Sequence, residues 1–419
     1  MGCAEGNQAA AGINAIRALN KEESFRVAVQ PFNNNAKAAA EGAVLTAYTY
    51  NENKKIKMGE ISTILYAPGA GVTLVDDWLE GVIGASAQNT ARHLMETPAN
   101  LLTPHLFSQR VTSLLASLPN TTVTVRDMAW IEAERMGMFL SVARGSAEEP
   151  RFLEIRYSGG ESNSTAAAAT PIALVGKGVT FDSGGISIKP SNGMADMKGD
   201  MGGAAVVVGI MEAIAKLRLR VNIVACIPLT ENMPSGTATK PGDVVVARNG
   251  KTVEVDNTDA EGRLILGDAI HYACTTFHPK TVIELSTLTG AVDVALGYPY
   301  AGVFTTSDEL WSRLENASKS AGEGFWRMPM DVDAYKPQIK SNVADLKNVG
   351  GRSAGSCTAA VFLQEFVEGG VEFAHIGDNN LFSDIAGVMK QTGSHGILAR
   401  GMTGRPVRAI IEYIKEASK

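Results

Sequence analysis

Cysteine is scarce: Cys3, Cys226, Cys274 and Cys357 are the only four in 419 residues, and no two form a Cys-x-x-Cys pair. That spacing suggests neither a thiolate zinc site nor a disulfide framework, and makes a reducing compartment the simpler setting. None of the six histidines stands in a His-Glu-x-x-His arrangement, so the usual mononuclear zinc-protease pattern is absent too. A metal would have to be held mainly by carboxylates. No basic segment followed by a long apolar run opens the chain, and no window has the unbroken apolar length that spans a bilayer. The start Met1-Gly2-Cys3 resembles a lipidation signal but carries Gly6 where the acceptor pattern wants Ser or Thr. A soluble, cytoplasmic protein is expected. The formal charge of -6 gives no electrostatic reason for nucleic acid or an anionic membrane as main partner.

Other absences remove whole classes of chemistry. Gly350 to Ser356 has a Gly-x-x-x-x-Gly outline, but Ser356 stands where a phosphate loop needs lysine, and Gly176-Lys177-Gly178 is only part of a dinucleotide fingerprint. No Gly-x-Ser-x-Gly elbow with a matching histidine surrounds Ser183 or Ser286.

What is present is an ordinary globular composition, 45% apolar and 20% charged, in a chain long enough for two cores. Apolar spacing predicts helix over 9–20, strand over 25–29, helix over 36–47 and strand over 61–66, a small α/β piece with too few strands to stand alone. A long helix over 77–95, ended by Pro98, connects it to the remainder. The expected organisation is an N-terminal α/β domain over 1–76, a connecting helix over 77–97, and a larger α/β domain over 98–419. In that larger domain helices (104–118, 130–136, 204–217, 264–273, 358–367, 407–417) alternate with strands (122–126, 152–157, 172–175, 221–229, 252–255, 282–285). Such alternation belongs to a mostly parallel or mixed sheet flanked by helices. The run 159–170 reads as a surface loop, 230–243 as a long aperiodic loop, and the stretch between 367 and 407 as irregular.

The chemistry-bearing residues fall in the connections. Asn257-Thr258-Asp259-Ala260-Glu261-Gly262-Arg263-Leu264 runs from a strand into a helix, where backbone N–H groups and the helix dipole favour negative charge. Capping alone would also explain acidic and amide residues there. Asp182, Asp200, Lys177 and Lys189 occupy similar connections, and such connections can converge at the carboxyl ends of parallel strands. Four carboxylates in one crevice repel unless cations neutralise them. Two divalent ions, bridged by carboxylate oxygens, are one solution; a salt-bridge cluster with the lysines and Arg263 is the other.

These stretches, with Gly176 to Gly185, Asp200-Met201-Gly202-Gly203, Glu231-Asn232-Met233-Pro234, Pro241-Gly242-Asp243-Val244 and Thr287-Leu288-Thr289-Gly290-Ala291, resemble the dinuclear leucyl aminopeptidases, also called cytosol aminopeptidases. The resemblance covers the chain from about residue 35 to its end. It implies a tighter metal site from Lys177, Asp182, Asp200 and Glu261, and a more exchangeable one from Asp182, Asp259 and Glu261. Zn²⁺ would fill the first, with Mn²⁺, Mg²⁺ or Co²⁺ accepted at the second. The mechanism so implied is attack of a metal-bridging water on the first peptide carbonyl of substrates with a free N-terminus, Leu and other apolar residues preferred. Lys189 would stabilise the oxyanion, and Arg263 would hold a bicarbonate that serves as general base. Met197, Asn257, Thr287, Leu288, Gly290 and Met402 match substrate-pocket positions, and a homohexamer is implied. Two departures stand out. Relatives carry a longer, macro-like first domain, so this chain is expected to begin partway into it, and the family's His-x-Asp-Ile-Ala-Gly run is split here by an insertion over 376–383 between His375 and Asp384. Non-catalytic structural or DNA-binding relatives, and two-metal phosphoesterases, are the rival readings.

Overall fold

A computed structural model describes residues 3–19, 25–31, 35–55, 61–68, 74–160, 171–378, 390–391, 397–398 and 401–419. The Met1-Gly2 start, most of the 159–170 loop, and the 376–383 insertion beyond residue 378 lie outside the described residues, as does Asp384-Ile385-Ala386-Gly387.

The run Ile172-Ala173-Leu174-Val175 has no polar side chain to leave in water, so it forms a strand covered on both faces. It lies at the heart of a nine-stranded mixed sheet. From one edge the order is Gly324–Met328, Tyr300–Phe304, Glu372–Asp378, Thr281–Thr287, Ile172–Gly176, Asn222–Asn232, Arg151–Ser158 and Thr121–Arg126; Gly178–Asp182 pairs with the far end of Asn222–Asn232. The four central strands run parallel. Antiparallel pairing enters with Arg151–Ser158, Thr121–Arg126 and Tyr300–Phe304.

Alternation along the central strands divides the interior into two cores. Leu174, Ala225, Ile227, Ile283 and Leu285 face a layer containing helices Val75–Glu96, Gly202–Leu217 and Val407–Ala417. Ala173, Val175, Val224, Cys226 and Val282 face helices Gly137–Ala143, Gly262–Phe277 and Gly355–Gln364. Gly202–Leu217 is apolar nearly all round and buried along its length, because the connecting helix covers the side turned away from the sheet. The two helices approach closely enough that a Cβ on Gly209 would lie 2.5 Å from the Ala87 carbonyl oxygen.

The N-terminal strands Phe25–Val29 and Ile61–Tyr66 form a separate two-stranded parallel sheet. So small a sheet cannot bury its own face, and helix Ala36–Ala47 instead packs on the connecting helix. Lys37 reaches Glu412 and Glu80 at 2.5 and 2.6 Å, and Arg408 reaches Glu41 at 2.8 Å, tying the segment to the C-terminal helix.

The mixed α/β architecture is the one expected, with local differences. The helix expected over 130–136 stops at Ala133 in helix Met128–Ala133, Arg135 takes a left-handed backbone (φ 57°), and a second helix follows over Gly137–Ala143. The aperiodic loop starts later, since Asn222–Asn232 carries the strand three residues further. The stretch read as irregular holds Glu372–Asp378, a central strand whose Glu, His and Asp break the apolar pattern. Among the described residues, no helix is long and apolar enough to cross a membrane.

Candidate metal centre

The parallel strands end on one side, and the connections leaving them converge. Lys177 sits between Ile172–Gly176 and Gly178–Asp182, Asp182 ends the latter, Asp200 follows the short helix Met194–Gly199, and Thr287 ends its strand. Strand Thr252–Val255, paired with Asp243–Val246 and Leu346–Lys347, delivers the Asn257 to Arg263 loop to the same place. Glu261 occupies the cap position of helix Gly262–Phe277 yet makes no side-chain capping bond, so capping does not account for it.

Asp182, Asp200 and Glu261 are buried, and each offers a carboxylate oxygen within 4.8 Å of the others. Lys177 Nζ donates at 2.8 Å to Asp200 Oδ1 and to the Thr287 carbonyl, and forms an ion pair at 2.8 Å with Glu261 Oε1. Lys189 Nζ lies 2.9 Å from Asp182 Oδ2 and 2.6 Å from Asp259 Oδ1. Thr287 Oγ1 donates to Asp200 Oδ1 at 2.8 Å. Around the cluster is a cavity of about 290 Å³ whose lining includes Lys177, Asp182, Lys189, Asp200, Asp259 and Glu261. Arg263, Asn257, Thr287, Leu288 and Gly290 line it as well. Met197 and Met402 do not. Met197 is buried in the turn before Asp200, and Met402 belongs to the core, its N–H donating to Glu96 and its carbonyl accepting from Arg92.

Four carboxylates face two lysines, and the electrostatics record the mismatch. Burial raises Asp182 and Asp200 above the usual carboxylate range; Glu261 adds to both, against the opposing pull of the lysines. Burial and then Asp182 push Asp259 up to about 7. Glu261 alone is held low: burial opposes its ionisation, but Lys177 and Lys189 outweigh it. Burial likewise disfavours charge on both lysines, and the surrounding carboxylates overcome it and hold each above the ordinary lysine range. The ion pairs of the salt-bridge reading are therefore real, but two lysines do not suffice for four ionised carboxylates, and without further cations burial and mutual repulsion favour protons on Asp182, Asp200 and Asp259. Buried carboxylate oxygens that ionise only with added positive charge, plus one amine, fit divalent cations. Lys177 would join such a site only by giving up a proton, since it can ligate only as the neutral amine.

Arg263 is buried on the same wall. One guanidinium N–H donates to the Asn348 carbonyl at 2.8 Å, its Nε is buried without a hydrogen-bond partner, and among the described residues no carboxylate forms an ion pair with it. Burial lowers it to about 10, with Glu261 opposing, so it remains a cation at neutral pH.

A family model described as the cytosol aminopeptidase family, catalytic domain, matches residues 89–411. The chain belongs to the cytosol aminopeptidase family. It is thereby an aminopeptidase of a hydrolase family. The cytosol aminopeptidase of Xenopus tropicalis is 50% identical over 406 residues, covering 96% of this chain and 75% of the relative. That of Homo sapiens is 49% identical over 412 residues, with 98% and 75% covered. Among solved structures, the bottromycin maturation enzyme BotP in complex with Mn superposes with a TM-score of 0.89 at 34% identity, covering all of this chain and 88% of that one.

Within this cytosol aminopeptidase fold, residues given no role from the sequence hold the loops that carry the carboxylates. Asn348, fully buried just beyond Leu346–Lys347, accepts from the N–H groups of Asp256 and Asn257 and donates to the carbonyls of Asn257 and Ala260. Thr258 Oγ1 donates to the Gly184 carbonyl at 2.7 Å and accepts from Ser187 N–H at 2.8 Å. Neither amide nor hydroxyl carries a signal in a single sequence; only their position in a loop beside the carboxylates points to them.

Proposed function

We propose that this chain is a metal-dependent leucyl aminopeptidase that removes Leu and other apolar residues from peptides with a free N-terminus. Lys177, Asp182, Asp200 and Glu261 would hold one divalent ion, and Asp182, Asp259 and Glu261 a second. Zn²⁺ suits the first, and Mn²⁺, the ion named with BotP, or Mg²⁺ or Co²⁺ the second. The observation that carries this reading is the trio of buried carboxylates within 4.8 Å of one another, under-neutralised by the lysines around them. Bound there, two ions supply Lewis acidity toward the peptide carbonyl and water, and an anchor for the free α-amine.

The chain's own groups supply the rest. Lys189, less deeply buried than Lys177, carries its ammonium beside Asp182 and Asp259 and can donate to the oxygen of the attacked carbonyl as charge develops there. Arg263 offers a buried guanidinium edge on the cavity wall, which suits a small planar anion; bicarbonate bound there would take the proton from water in place of a histidine. Asn257, Thr287, Leu288 and Gly290 lie along the wall that a substrate would touch; Met197 and Met402 are not part of that lining. Cytoplasmic residence and a homohexameric assembly complete the proposal.

Leucine amide and its N-acetylated form, assayed with and without added Mn²⁺, provide the test. Metal-stimulated cleavage of the free-amine substrate alone is expected; equal rates on both would overturn the reading.

A further inference from the structure

Asn232 ends the strand Asn222–Asn232 with its side chain buried against the centre, and both protons of its amide are committed. Nδ2 donates to Asp182 Oδ1 at 2.8 Å and to the Thr258 carbonyl at 3.0 Å. The Asn232 backbone carbonyl accepts from Ser183 through both N–H (3.0 Å) and Oγ (2.7 Å). One residue thus joins two loops: the turn carrying Asp182 and the loop carrying Asp259 and Glu261. The turn comes close enough that a Cβ on Gly185 would meet Asn232 Oδ1 at 2.9 Å, and Gly185 holds a left-handed backbone, φ 66°.

The consequence falls on Asp182. Its Oδ1 accepts from the Gly184 N–H at 2.9 Å as well as from Asn232, so both lone-pair directions of that oxygen are filled. The other oxygen, Oδ2, faces Lys189 across the crevice. We propose that Asn232 is a positioning residue: it fixes the plane of the Asp182 carboxylate so that Oδ2 alone is presented to cations, and pins the Thr258-Asp259 peptide at a set distance from it. The inference rests on the two-ion reading and adds to it a residue that sets the spacing of the ions without touching either. Because Asn232 grips the shared Asp182 and the peptide next to Asp259, its loss bears hardest on the ion beside Asp259.

The test uses the full chain, stripped of metal and titrated with Mn²⁺ by calorimetry and electron paramagnetic resonance. Asn232→Asp keeps the shape but sets an oxygen against Asp182 Oδ1 and the Thr258 carbonyl. Outer partners of metal ligands typically change affinity by about 10–100-fold. Wild type is expected to bind two ions with a spin-coupled signal. The variant should retain the first, bind the second about 10–100-fold more weakly, and, at two Mn²⁺ added per chain where wild type gives the spin-coupled signal, show an isolated-Mn²⁺ signal instead. Asn232→Ser, which keeps one donor, should lie between the two and serves if the Asp variant does not fold. A variant with wild-type affinities and coupling, or one that loses both ions in equal measure, overturns the role of Asn232. Failure of wild type to bind any Mn²⁺ would instead overturn the two-ion reading itself.

Discussion

Asn348→Ala tests how the Asn257 to Arg263 loop is held. The side chain is fully buried and makes four bonds to loop backbone: Oδ1 accepts from Asp256 and Asn257 N–H at 2.9 and 3.3 Å, and Nδ2 donates to the Asn257 and Ala260 carbonyls at 2.7 and 3.2 Å. At a net ~1 kcal/mol each the bonds sum to about 4 kcal/mol, and water from the adjacent cavity recovers part of this for the groups nearest it, leaving about 2–4 kcal/mol. Urea unfolding of the metal-free protein should show that loss as a lowered midpoint with the slope unchanged. Asn348→Asp keeps the acceptor but sets a second, buried oxygen against the Asn257 and Ala260 carbonyls, so it should be no more stable than the alanine variant. A loss below about 0.5 kcal/mol in the alanine variant would refute the clamp, being no more than an ordinary surface change.

Other perturbations separate the parts of the site. Asp259→Asn should deplete the exchangeable ion and cut turnover without unfolding the chain; metal content after dialysis and activity at saturating substrate report both, and unchanged turnover contradicts the assignment. Arg263→Met should lower turnover and abolish any stimulation by added bicarbonate, which wild type should show; a bicarbonate response surviving in the variant would place the anion elsewhere. Away from the centre, buried Asp268 accepts from Phe139 and Arg248 N–H, and burial outweighs these bonds to push it up to about 7 from 3.8. The folded chain therefore holds this proton where the unfolded chain has lost it, so stability should fall as pH rises from about 4 to 7, by at most about 4 kcal/mol from this group. Asp268→Asn should flatten that slope in urea midpoints taken across the range, and an equal slope in both proteins would count against it.

Much of this was legible in the residues, for identifiable reasons. Strands such as Ile172–Gly176 and helices such as Val407–Ala417 announce themselves because burial on two faces or one dictates their apolar pattern. Glu372–Asp378 escaped because its polarity is satisfied by tertiary pairing: His375 bonds Glu284 on the neighbouring strand and stacks on Phe304, so a histidine and a glutamate are buried where the pattern calls for apolar residues. At the centre the carboxylates and lysines could be picked out by charge and by their place in connections. Asn232, Thr258 and Asn348 could not, since a buried amide that clamps two loops has the same composition as any loop residue until the loops are brought together.

The most direct measurement is anomalous scattering from crystals grown with Mn²⁺, recorded on both sides of the manganese absorption edge. Two peaks are predicted, with oxygens of Asp182 and Glu261 shared between them, Lys177 and Asp200 beside one and Asp259 beside the other. A crevice with no peak, or peaks that share neither Asp182 nor Glu261, would contradict the two-ion centre.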